Sequence, residues 1–68
     1  MTKKAAVILA PGCEEIEALS VVDVLRRLNV KCDMVGLFET KVDGDHGILL
    51  TCDKTVDESL LDYDLVAF

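Results

Sequence analysis

Ala5-Ala6-Val7-Ile8-Leu9-Ala10 is an unbroken apolar run closed by Pro11-Gly12. A strand with one wet face alternates apolar and polar residues. A run without alternation is buried on both faces, the pattern of a strand inside a parallel sheet. Pro11 ends the strand and pushes Ala10 toward extended backbone. Such a strand needs a layer above it and a layer below it. That demand is severe for 68 residues, because a domain of this size buries only about 60% of the surface its unfolded chain exposes. The chain is therefore expected to be a marginal domain, an oligomer, or part of a larger fold.

The segments that follow supply some of those layers. Glu14 or Glu15 to Leu28 has helical spacing, with Glu14, Glu15 and Glu17 in its first turn and Arg26 and Arg27 in its last. Both placements complement the helix dipole. Asn29 is the expected C-cap, and Lys31 to Leu37 reads as a second strand. Strand, helix and strand in this order make a βαβ unit with parallel strands. Thr40 to Gly47 is polar and carries the turn pair Asp43-Gly44, and Ile48 to Cys52 is strand-like, so a short hairpin at the sheet edge is expected. Thr55 and Glu58 fit a capping box that opens one or two helical turns through Leu61. Leu65 to Phe68 begins another buried strand. The whole reads as the opening of a doubly wound α/β domain, cut at a strand. With one full helix, one sheet face is expected to lie bare and to seek a partner.

Composition removes several function classes. The net charge is −6, with only Lys3-Lys4 and Arg26-Arg27 as basic pairs, so no face suits nucleic acid. The apolar run is far below the roughly 20 residues of a membrane helix. Lys3-Lys4 before it superficially resembles a secretory leader, but the run is short and leads into acids. Cys13, Cys32 and Cys52 are odd in number and widely spaced, no C-x-x-C occurs, and His46 is the only histidine. A metal site within the chain is not expected, and free thiols in a reducing cytoplasm are. No phosphate-loop glycine pattern follows the first strand, so no cofactor is expected.

Glu17 is the candidate that helical geometry singles out. On a helical wheel it falls between Val24 and Leu28, within an apolar arc that also holds Val21, Leu25, Ala18 and Val22. The other acids, Glu14, Glu15 and Asp23, are expected to reach water. A carboxyl on a core-facing arc is either partnered or protonated, because a lone buried charge costs several kcal/mol. First-turn acids are also common as plain helix-stabilising residues. Ile16 and Leu19 interrupt the polar arc and, with Ser20, Asp23 and Arg27, form a mixed outer face, either scattered surface apolars or a contact with a partner subunit. Cys13 sits at a helix start, which favours a thiolate, but three acids nearby oppose it. Cys32 is expected in the core, Cys52 exposed at a strand end, and His46 in solvent.

Val7 to Ala18, read as V-I-L-A-P-G-C-E-E-I-E-A, resembles the ThiJ/PfpI family, in its protein deglycase branch. Val22-Asp23-Val24-Leu25-Arg26-Arg27, Val30-Lys31 and Tyr63-Asp64-Leu65-Val66 extend the match over essentially the whole chain. The resemblance implies a flavodoxin-like fold of the class I glutamine amidotransferase type, of which residues 1–68 are the amino-terminal portion of a single domain. It implies a homodimer formed partly through the first helix, at Ile16, Leu19 and Arg27. It also implies that Glu17 is the protonated acid that hydrogen-bonds a nucleophilic cysteine in glyoxalase or deglycase chemistry on reactive dicarbonyls, or in stress protection. Relatives continue the last strand into a Pro-Gly-Gly turn and carry the nucleophile later. Cys13, Cys32 and Cys52 do not match it, so these 68 residues alone are expected to be inactive. Two other readings stand beside this one: a small interaction module, and a piece of a PfpI-like peptidase or amidotransferase-like hydrolase. The expected partner is the rest of the parent domain, or a second copy.

Overall fold

The structure, a computed structural model, describes residues 3–68. In chain order the elements are β1 (Lys4–Leu9), α1 (Glu15–Arg27), β2 (Lys31–Gly36), β3 (Lys41–Asp43), β4 (Leu49–Thr51), β5 (Lys54–Thr55), a 3₁₀ helix (Glu58–Asp62) and β6 (Leu65–Ala67). The main sheet runs β5-β2-β1-β6, with every pair parallel. The α/β reading holds, and the expected strands are all present within a residue of their predicted ends.

β1 is central, and its residues Ala5 to Leu9 are all buried. Its odd positions pack with Val22, Cys32, Val42, Leu50 and Cys52 under α1 and the hairpin. Its even positions, Ala6 and Ile8, pack with Val35 against Leu60, Tyr63 and Val66. The second face of β1 is thus covered, which corrects the expectation of a bare face. The cover is the 3₁₀ segment, too short to count as a layer when only full helices are sought. Tyr63 donates its hydroxyl to the Asp33 carboxylate, the Lys4 ammonium lies 4.5 Å over the Tyr63 ring, and the Lys4 N–H donates to Asp64 at 2.8 Å. These contacts moor the last crossover to β1 and β2.

The helix begins where its acids demand. Glu14 is the N-cap and accepts from the N–H groups of Ile16 at 3.2 Å and Glu17 at 3.0 Å, filling two of the free donors of the first turn. The other end closes on Leu28 as cap. Asn29, expected as the cap, comes one residue later in left-handed backbone with φ 63°, the usual site of a helix-terminating Asn. The Arg26 guanidinium donates to the Cys32 carbonyl at 2.9 and 3.0 Å and to Asp53 at 3.1 Å, tying the helix end to the next strand.

Three details differ from the sequence expectation. The β3–β4 hairpin does not extend the main sheet; it is a separate two-stranded sheet that leans on the start of α1. Thr55 lies in β5 and does not cap; Asp57 caps the 3₁₀ helix, accepting from the Ser59 N–H at 2.9 Å. Cys52 is buried rather than exposed, because Val42, Leu50 and Cys52 share the inward side of the hairpin. Among the described residues, no helix is long and apolar enough to cross a membrane.

Candidate functional site

The strand order places a topological switch beside β1. The chain moves from β1 to β2 on one side and returns to β6 on the other. In open parallel sheets, ligands bind outside the carboxyl ends of strands at such a point, where the connections diverge and leave a crevice. Here a groove of about 300 Å³ opens at that place, lined by Leu9, Cys13, Glu14, Glu17, Val21 and Phe68 among others. Glu17, the acid singled out by the wheel, is therefore at the groove, but it is exposed in this chain. The wheel arc is broad, and only its Ala18–Val22–Leu25 side meets the sheet. Val21, Val24 and Leu28, which flank Glu17, are 44%, 53% and 67% exposed.

The acid that is buried is Glu15, which the sequence reading sent to water; only 3% of it is exposed. Its carboxylate reaches across to the hairpin tip. It accepts from the backbone N–H groups of His46 at 2.8 Å and Ile48 at 3.3 Å, and the His46 Nδ1 lies 3.0 Å from its other oxygen. Burial pushes its pKa up, but the His46 ring and the backbone N–H groups outweigh that and hold it at about 2. Gly44 leaves room for this carboxyl; a Cβ there would overlap it. Two backbone bonds reinforce the junction: Gly12 N–H to the Asp43 carbonyl and Asp45 N–H to the Cys13 carbonyl, both 2.8 Å. His46 itself stays exposed to solvent, as its loop position implies, while one ring nitrogen engages Glu15. No periodicity in the sequence announces a contact spanning 31 residues; the small residue at the Asp43-Gly44 turn was its sole trace.

Glu14, Glu15 and His46 bring ligand-type atoms within 4.8 Å of one another. Both carboxylates already accept N–H groups, and they stand at the positive end of a helix, where a cation is disfavoured. The three cysteines are free thiols. Burial, then the charge of Glu15, raises the Cys13 pKa; burial, with Asp33 and Asp53 opposing Arg26, raises that of Cys32; burial and Asp53 raise that of Cys52. All three are poor thiolates. Of the outer-face candidates, Ile16 is 75% exposed and Leu19 37%. They line, with Ser20, Asp23 and Ile48, an open apolar trough of about 440 Å³. Arg27 lies at the edge of that face and pairs with Asp23 at 3.1 Å.

A doubly wound parallel sheet with an acid-lined crevice at its switch point defines the chain as a flavodoxin-like α/β protein. The particular family follows from comparison: residues 3–68 match the DJ-1/PfpI family, and the chain belongs to it. Among its relatives, Protein DJ-1alpha of Drosophila melanogaster is 36% identical over 67 residues, covering 94% of this chain and 31% of that protein. Protein dj-1beta of the same organism is 54% identical over 37 residues, 54% of this chain and 20% of that protein. The crystal structure of Drosophila melanogaster DJ-1beta superposes with a TM-score of 0.90 at 37% identity, covering 97% of this chain and 37% of that one. A cysteine-to-alanine mutant of a DJ-1 superfamily protein from Salmonella typhimurium gives 0.87 at 37% identity, with 96% and 36% covered. The chain spans about a fifth to a third of the length of the curated relatives it matches.

Proposed function

We propose that residues 1–68 form the amino-terminal portion of a single DJ-1-type domain, acting in the cytoplasm in protection against reactive dicarbonyls and oxidative stress. Glu17 is the proton-handling acid of that domain, and the nucleophilic cysteine comes from sequence beyond these residues. The observation that carries this reading is the position of Glu17 on a crevice at the β1/β6 switch point, where a carboxyl and the adjoining Gly12-Cys13 turn face open space. A carboxyl there can donate a hydrogen bond to an incoming thiolate when protonated and take up a proton when not. That is what the isomerisation of a thiohemiacetal, or the hydrolysis of a sugar-type adduct, asks of it. The outer trough around Ile16 and Leu19, with Arg27 at its rim, supports a homodimer built on α1.

The test uses the full-length protein and methylglyoxal. The wild type is expected to consume it, and Glu17→Gln to lose roughly 100-fold or more in kcat, the usual contribution of a positioned acid–base group. A Glu17→Gln variant as fast as wild type would overturn the assignment. The 68 residues alone are expected to be inert; turnover by them that Cys13→Ser abolishes would place the chemistry at Cys13 instead.

A further inference from the structure

We infer that Glu15 is a positioning residue for Glu17: a buried carboxylate that clamps the hairpin tip to the first turn of α1 and so fixes the direction in which Glu17 points. This rests on the proposed role of Glu17 but adds a residue and a mechanism to it.

The argument starts from the anchoring of α1. Between Glu15 and Val21 only Glu15 is buried; Ile16, Glu17, Leu19, Ser20 and Val21 are exposed, and Ala18 is half-buried. The next buried anchor is Val22, two turns along. The one fully buried side-chain anchor of the first turn is therefore the Glu15 carboxylate held by His46 and Ile48, and the backbone bonds of Gly12 and Cys13 to the hairpin act beside it. Residues two apart on a helix point about 200° away from one another. With Glu15 locked into the hairpin on one side, Glu17 is turned to the opposite side, toward the groove it lines. A first turn released from the clamp would be held at its entry only by the backbone bonds of Gly12 and Cys13, and a shift in its seating would carry Glu17 with it. Gly44 fits this role: the atoms nearest to a side chain there would be those of the Glu15 carboxyl, which it would overlap.

The experiment uses the full-length protein and three variants: Glu15→Gln, Gly44→Ala and His46→Ala. Gly44→Ala disturbs the clamp without changing Glu15 itself, and His46→Ala leaves the two backbone N–H donors in place, so the set separates loss of the fold from loss of position, with amide spectra identifying the folded variants. Two readouts are taken: methylglyoxal kinetics across pH, and the Glu17 carboxyl titration by ¹³C NMR. Gly44→Ala and Glu15→Gln are expected to lower kcat roughly 10- to 100-fold, the cost of an ångström-scale misplacement of a reacting group. KM should stay nearly constant, while the Glu17 titration and the pH profile move together. His46→Ala should fall between them and wild type. Folded variants that keep kcat and an unmoved Glu17 titration would show that Glu15 merely holds the hairpin, and would overturn the inference. A wild type without turnover would overturn the proposed reaction instead, and the NMR titration alone would then decide whether Glu15 orients Glu17.

Discussion

Glu15 and Glu17 stand two residues apart on the same helix, yet they occupy opposite environments. Glu15 is buried, meets three hydrogen-bond donors and is ionised down to about pH 2. Glu17 lies on an open groove, flanked by Val21, Val24 and Leu28, which are about half exposed or more. The first acid belongs to a junction completed within these residues. The second belongs to a surface with the apolar character of an interior and no cover from the described residues. A charge inside a completed contact holds the fold in place; a charge within an exposed apolar stripe is the one open to an incoming group. The helix thus divides lengthwise into a side already spent on the fold and a side still available.

The sharpest way to break this contrast is to place a charge on each side. Val22→Asp puts a carboxylate where only 4% of the residue is exposed, with no basic partner, and is expected to cost on the order of 3–5 kcal/mol. That is a large part of the stability of a small domain. Val24→Asp, on the open stripe, would cost under about 0.5 kcal/mol if the stripe stays wet, as surface substitutions do. If further sequence completes the domain as proposed and covers Val24, denaturant melts of both variants in the full-length protein should instead show two comparable losses. A harmless Val24→Asp there would mean that the stripe faces solvent in the complete protein, and with it Glu17.

A second comparison sets the groove side of α1 against its outer side. Ile16 and Leu19 are exposed apolars over a trough shared with Ile48 of the β3–β4 loop. If that face joins two copies, Ile16→Asp with Leu19→Asp should weaken the dimer by about 2 kcal/mol or more, the loss typical of central interface residues. The fold should change little. Sedimentation of the full-length protein checks this; an unchanged dimer would move the interface away from α1.

Much of the contrast is legible in the sequence. The unbroken run of β1 foretold burial on both faces, and the Glu-rich start and Arg-rich end of α1 fixed its limits, because dipole and capping chemistry are local. The hairpin was legible from Asp43-Gly44. What stayed hidden were matters of which side. The apolar arc from Glu17 to Val22 is wider than one sheet contact, and the wheel cannot say which half of it the chain covers. So the wheel sends Glu17 to the core and Glu15 to solvent, whereas in these residues Glu15 is buried and Glu17 exposed. Cys52 could have been placed correctly, since Leu50 and Cys52 alternate with Leu49 and Thr51 at the period of a strand. The two-residue β5 and the long-range grip of Glu15 on His46 leave no periodic pattern, and only Gly44 hints at the second.

Acid titration tests the Glu15 junction directly. The Glu15 pKa is lowered from 4.5 to about 2, so ionised Glu15 contributes stability that is complete above the unfolded value. That contribution is lost as pH falls from about 4.5 through 2, as protons bind the unfolded chain first. Hairpin amides of His46 and Ile48 should therefore gain exchange with solvent over this window, and Glu15→Gln should flatten the response. A wild type whose hairpin protection is insensitive to pH between 4.5 and 2 would show that the clamp does not depend on the charge.

The smallest effect is expected at Arg27, and it tests the outer face most finely. Its Nε donates to Asp23 at 3.1 Å, with both side chains more than half exposed. An exposed pair one helical turn apart contributes about 0.3–0.5 kcal/mol and less in salt. Arg27→Ala should therefore leave the melting of the full-length protein almost unchanged. Its consequence for assembly is separable, because a rim charge acts on encounter rate and salt dependence more than on packing. If α1 joins two copies, Arg27→Ala should leave the dissociation constant near wild type at high salt and alter it at low salt. A substitution equally silent at both ionic strengths would take Arg27 out of the interface while leaving Ile16 and Leu19 in it. One that destabilised the monomer instead would mean that Arg27 packs against covering residues of its own chain, and the line between the finished and unfinished sides of the helix would have to be redrawn on that edge.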